Sequence, residues 1–269
     1  MEKGSVLGLI VALGMFMITL VIAADFDPDF IVLVWDLGSV FLVVGGAFGA
    51  TMVAVPFPKF KAGMKAAKIV FKPPALDPGA GISQIIALAN TARKEGVLAL
   101  EDSASNMEDQ FLKKGIMLIV DGTDPELVKN IMDTEMSYIE ERHGDIAGVY
   151  DMLGTMAPAW GMKGTLIALI MMLADLTDAE ALGGNMALAL ITTLYGALMA
   201  NAYALPFANK LKQISKEEIL LKTIMVEGML SIQAGENPRI IEEKLKSFLS
   251  PVLRESIGEG AGGGGGGDE

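Results

Sequence analysis

Residues 5–24 run for about 20 positions without one charged side chain, and few folds other than a membrane-crossing helix accept such a segment. At 1.5 Å of rise per residue the run matches a hydrocarbon core of about 30 Å, and a helix satisfies its backbone N–H and C=O groups internally. A cleaved leader is the competing use. The run exceeds the apolar length of such leaders, and no small-x-small cleavage site precedes Asp25, so it is read as a retained first span.

Three further apolar stretches lie near residues 30–55, 147–174 and 185–206, the second interrupted only by Asp36. Hydrophobic residues make up 52% of the chain and mean hydropathy is +0.46, with the apolar residues in blocks rather than spread periodically. The connections between spans one and two and between three and four are short and acidic. All 21 Lys and Arg lie outside those two connections: eleven between Phe57 and Ala157, eight after Pro206, and Lys3 and Lys163. Lys59, Lys61, Lys65, Lys210 and Lys212 lie close to span ends, where the positive-inside rule has most weight. Both termini and the long middle segment are therefore expected in the cytoplasm, with the chain multi-pass in the inner membrane.

The expected fold class is all-α: a polytopic membrane protein with four transmembrane helices and a helical cytoplasmic domain. Spans one and two occupy residues 1–56, a cytoplasmic helical domain 57–146, spans three and four 147–206, and C-terminal cytoplasmic helices 207–257. Outside the spans, Ile82, Ile85, Ile86 and Ala89 share one helix face. Asp124-Pro125-Glu126 and Asn237-Pro238 read as helix starts, Ser215-x-x-Glu218 as a capping box, and Leu127, Ile131 and Ile139 as a buried stripe. The glycine-rich, acidic tail at 258–269 is expected to be disordered.

A net charge of −12 argues against nucleic acid as a partner. With no Cys the chain forms no disulfide or thiolate metal site, and its one His, His143, lies in a charged run where a solvated side chain is the ordinary role. No nucleophile–base pair, phosphate loop or ligand cluster suggests an enzyme, and no cofactor is expected.

Several strings stand out in order: Ala92-Arg93-Lys94-Glu95-Gly96, Met156-Ala157-Pro158-Ala159-Trp160-Gly161, Gly164-Thr165-Leu166, Ile191-Thr192-Thr193-Leu194-Tyr195-Gly196, Leu205-Pro206 and Glu227-Gly228-Met229. On this topology they resemble the flagellar stator A-subunit family, the MotA/PomA proteins. The resemblance implies an ion-driven torque generator: five A subunits ringing two copies of a single-span B-type subunit. That partner holds the ion-binding aspartate and anchors to peptidoglycan. The ring's cytoplasmic part pushes on the flagellar rotor switch protein.

The residues agree with a chain that does not conduct alone. An ion path through hydrocarbon needs a carboxylate as a stepping site, and here Asp36 lies toward the outer end of span two and Asp151 toward the inner end of span three. A partner is expected to supply the acid. Thr165 and Thr193 lie 15 and 13 residues from the hairpin turn near Glu180, so the two hydroxyls share a membrane level, with Thr192 turned about 100° from Thr193. Hard oxygen ligands suit sodium, which is favoured over the proton. By resemblance Thr165 and Thr193 match threonines of sodium-driven stators, Pro158 and Pro206 couple ion loading to movement, and Arg93, Lys94 and Glu101 contact the rotor. Lys163 departs from the family pattern. It either snorkels along its stem to the membrane interface, or faces the partner's aspartate or a subunit interface and alters the ion path. An ExbB/TolQ-like subunit driving a non-flagellar process is the alternative.

Overall fold

A computed structural model describes residues 3–26, 34–174, 176–251 and 254, and the Gly-rich tail lies outside them. Among the described residues the regular structure is helical. Helix α1 is Lys3–Ala23, and α2 is Leu37–Ala54, with one π-helical turn at Phe41–Gly45. Next come α3 (Phe57–Phe71), α4 (Pro78–Glu95), α5 (Leu100–Ser105) and α6 (Gln110–Val120). Helix α7 runs unbroken over Pro125–Ala174, and α8 is Ala179–Leu198. A π-helical segment, Met199–Ala204, joins α8 to α9 (Leu205–Gln233), and α10 is Pro238–Lys246. Four of these helices are long and apolar enough to cross a membrane: α1, α2, α7 and the one that begins as α8.

The chain divides into two compact units. Unit 1 comprises Met1–Pro74 and Arg142–Ile214, and unit 2 comprises Ala75–Glu141 and Ser215–Glu269. By sequence, unit 1 holds ten acidic and ten basic residues; unit 2 holds 23 acidic and 11 basic, so the whole net charge of −12 resides in unit 2.

Unit 2 packs around Ile82, Ile85, Leu100, Leu112, Ile116, Met132, Ile224, Met229, Ile241 and Leu245, all fully buried. The Asp77, Asp124 and Asn237 side chains accept from the first amides of α4, α7 and α10, a local arrangement that stops each chain entry where its proline begins the helix. Lys244 ties α10 back to α9, with Glu227 at 2.5 Å and Ser231 Oγ at 3.1 Å. The Glu227 hydrogen bond outweighs desolvation and holds the Lys244 ammonium above its ordinary pKa.

Two expectations fail here. Ser215 caps nothing, because α9 passes through it without a break; local capping chemistry yielded to continuation of a packed helix. In the predicted stripe Ile139 does pack against the core, but at the start of α7 the buried residues are Val128 and Met132, while Leu127 is 51% exposed: the apolar residues there are dense enough that spacing alone picked the neighbouring face.

In unit 1, α1 buries none of its apolar window against the rest of the chain. Helix α3 packs Gly63, Ala66 and Val70 inward, and Tyr150 of α7 donates its hydroxyl to the Gly63 carbonyl at 3.0 Å. Phe71, Tyr150, Tyr203 and Phe207 form an aromatic cluster with centroid spacings of 4.4 to 6.0 Å.

Candidate ion path

Helices α7 and α8 form an antiparallel hairpin whose seam is built from glycine. A side chain added at Gly196 would put its Cβ 2.8 Å from the Ala157 carbonyl oxygen and 3.1 Å from Pro158 Cα. One added at Gly161 would meet the Thr192 carbonyl oxygen at 2.8 Å, and one at Gly164 the Thr192 side chain at 2.5 Å. Small residues let apolar helices approach to backbone contact, the main source of association where no water is displaced. The seam therefore fixes the register of α8 against α7, and with it the threonines.

Thr192 is buried to 1% in that seam, opposite Gly164. Thr193, one residue on, is exposed, and Thr165 is half-buried. Each hydroxyl donates to its own helix: Thr165 to the Met162 carbonyl at 2.7 Å, Thr192 and Thr193 both to the Ala189 carbonyl at 3.0 and 3.1 Å. With the proton committed to the backbone, the hydroxyl lone pairs point away from it, the arrangement an oxygen needs to accept or to coordinate a cation. No Asp or Glu occurs in residues 152–174 or 181–216, so these stretches offer hydroxyls and carbonyls and no acid.

Three carboxylates near the inner and outer ends of the spans are engaged elsewhere. Asp151 pairs with Lys212 and Asp145 with Lys59, each at 2.6 Å. Asp36 caps α2, accepting from the Ser39 amide at 2.5 Å. Its own amide donates to the Tyr195 hydroxyl at 3.1 Å, and Tyr195 donates in turn to the Val34 carbonyl at 2.7 Å. This clip brings the start of α2 beside the part of α8 that carries Thr192 and Thr193. Asp36 thus stands beside the Tyr195 side chain, as the residue that caps α2 at Leu37.

Lys163 is exposed, and its Nζ lies 3.9 Å from the centre of the Trp160 ring, a cation–π contact that offsets part of the cost of a charge at this depth. It precedes Thr165 by two residues and so projects about 200° away from it around the helix. Lys163 and Thr165 therefore do not share a face. Trp160 itself packs against Gly46 of α2, where a Cβ would sit 2.2 Å from ring atoms.

Pro158 lies inside α7, beside Gly196, and removes a backbone donor from the seam. Pro206 is the second residue of α9, directly after the π-helical segment Met199–Ala204. Such a segment carries one residue more per turn and accommodates the amide that proline lacks. In unit 2, Arg93 and Lys94 are exposed in the last turn of α4 and Glu101 is exposed in the first turn of α5, each charge complementing its helix end. The glycine seam, the Tyr195 clip and the Trp160–Lys163 contact are the parts that sequence reasoning missed. The spacing Gly154, Ala157, Gly161, Gly164, Ala168 was the available signal for the first.

Residues 103–223 match the model of the MotA/TolQ/ExbB proton channel family, a stretch that includes the whole hairpin. Over the full length, Motility protein A of Borreliella burgdorferi is 39% identical, with 97% of this chain and 99% of the relative aligned. The chain belongs to the flagellar stator A-subunit family, the MotA/PomA proteins. Chemotaxis protein PomA of Vibrio alginolyticus is 36% identical over 93% of this chain and 96% of its own. The fold of this MotA/PomA member also matches the flagellar MotAB stator complex from Bacillus subtilis. The TM-score is 0.86 at 32% identity, over 94% of this chain and 99% of that one.

Proposed function

We propose that this chain is the ion-path wall of a flagellar stator: an A-type subunit that forms a channel with a B-type partner and converts sodium flow into torque. The single observation that carries the proposal is the glycine-packed hairpin whose stretches 152–174 and 181–198 hold no acid and which bears the Thr165 and Thr193 hydroxyls outside the Thr192 seam. The partner, a single-span subunit, contributes the titrating carboxylate, and five A chains surround two of them. Both termini and unit 2 lie in the cytoplasm. Arg93, Lys94 and Glu101 contact the rotor switch protein, and Pro158 and Pro206 are the points at which ion loading moves the helices below the seam.

Hydroxyl and carbonyl oxygens suit sodium as ligands, which favours sodium over the proton. Lys163 faces away from Thr165 and acts on the path only indirectly, at a seam between subunits. The ExbB/TolQ-type alternative predicts no effect on swimming. Co-expression with a B-type subunit in a host stripped of its own stators tests the proposal. Swimming is expected to return, with speed following external sodium at fixed pH. A correctly inserted complex that restores no swimming contradicts the stator role, and sodium-indifferent swimming contradicts the choice of ion.

A further inference from the structure

Residues 57–72 carry five lysines, Lys59, Lys61, Lys65, Lys68 and Lys72, and no acidic residue. The small, apolar face of α3 is clamped: a Cβ at Gly63 would lie 2.9 Å from Val149, and the Gly63 carbonyl is held by Tyr150. All five lysines are exposed: Lys61, Lys65 and Lys68 lie on the opposite side of the helix, whereas Lys59 shares the inward side and pairs with Asp145. They are not isolated. Apart from the acids of the two short connections and Asp36, unit 1 contains nine basic residues outside its spans and only Glu2, Asp145 and Asp151 against them. A belt with that surplus beside the end of a membrane helix attracts anions.

Next to the C-terminal end of α3 lies a half-open, mainly apolar groove of about 240 Å³. Its walls are Gly8 and Leu9 of α1, Val70 of α3 and Pro206 and Phe207 of α9, with Lys210 among the lining residues. An ammonium and an apolar slot in one groove, at the end of a lysine-rich helix, fit an amphiphile with a negative head better than they fit a soluble anion. Nothing polar is needed along most of the slot, and an acyl chain would cover apolar surface that α1 leaves uncovered by the rest of the chain.

We propose that α3 and Lys210 form a binding surface for the phosphate head groups of anionic phospholipids, with an acyl chain seated in the groove between α1 and α9. The leaflet concerned is the cytoplasmic one, a detail that rests on the orientation proposed above. Lipid binding itself does not depend on the motor reading. Because Pro206 and Phe207 are part of the groove wall, an occupied groove bears directly on the start of α9.

The test uses the full-length chain in nanodiscs containing equal phosphatidylglycerol and phosphatidylcholine, with retained lipid identified by native mass spectrometry. A lysine near a charged membrane surface is worth roughly fivefold in affinity. Phosphatidylglycerol is therefore expected to be retained at least about fivefold over phosphatidylcholine, the contribution of a single lysine. The preference should fall toward parity in Lys65→Gln/Lys68→Gln/Lys72→Gln/Lys210→Gln, a variant that keeps Lys59, Lys61 and Lys212 near the span ends. Leu9→Trp, which fills the groove, should lower the number of retained lipids of both kinds. Excess inorganic phosphate should leave phosphatidylglycerol bound. Equal retention of the two lipids by the wild-type chain overturns the proposal whatever the variants do. So does a preference untouched by the four substitutions, which would place the contact elsewhere, and displacement by phosphate alone, which would make this a free-anion site. Motility is not read in this assay, so a failed lipid site and a failed motor role give different results.

Discussion

Gly196→Leu is expected to abolish motility and to prevent the span hairpin from folding. The new Cβ would lie within 3.3 Å of three backbone atoms of α7, the Ala157 carbonyl oxygen at 2.8 Å and Pro158 Cα at 3.1 Å among them. Backbone has no flexible end that can swing aside, so α7 and α8 must separate. Separation opens the contacts of Gly161 and Gly164 with Thr192 and displaces the threonines. Overpacking a core costs about 1–3 kcal/mol where side chains can adjust, and a backbone clash lies at or beyond the upper end. Gly144→Leu is the control, since a Cβ there meets nothing within 4 Å and leucine is the better helix former. Thermal unfolding of the purified protein and swimming on soft agar check both variants. Wild-type unfolding and swimming in Gly196→Leu would remove the close-packed seam from the account.

Thr193→Ala is expected to separate sodium from swimming speed, raising the half-saturating sodium concentration at least about tenfold, equivalent to about 1.4 kcal/mol of lost ion binding. Thr193 is exposed, so deleting its hydroxyl opens no cavity in the seam, and the protein should assemble normally. Thr193→Ser, which keeps the oxygen, should stay close to wild type. Thr192 is a different case. It is buried against Gly164, so Thr192→Ala loses packing as well as an oxygen, whereas Thr192→Val removes the oxygen at nearly constant volume. Speed measured against external sodium at fixed pH separates these outcomes. An unchanged sodium curve in Thr193→Ala would mean that its hydroxyl serves only its own helix, through the Ala189 carbonyl.

How far the sequence could be read depended on the range of the forces involved. The long spans were legible because hydrocarbon imposes length and polarity on a segment without reference to the rest of the fold. The starts of α7 and α10 were legible because Asp124 and Asn237 cap within three residues of themselves. Ser215 misled for the complementary reason: its pattern is local, but α9 continues through it because its neighbours on both sides are packed. The threonines could be placed on one membrane level by counting from a turn. Which of them faces the seam depends on α7, nearly 30 residues away in sequence, and on glycines that look like weak helix positions until a second helix lies against them. The Tyr195 clip joins residues 161 apart and has no local signature. Lys163 was visible as an anomaly, but its seat on Trp160 follows from side-chain direction one turn along α7.

The central claim is that this chain lines an ion path whose titrating acid belongs to another polypeptide. Sodium and proton flux into liposomes, measured for the purified chain alone and for the same chain assembled with a B-type subunit, tests it most directly. Flux is predicted only for the assembled pair and is predicted to vanish when the partner's intramembrane carboxylate is neutralised. Equal flux from this chain alone, abolished by Asp36→Asn, would contradict the claim and place the acid beside Tyr195.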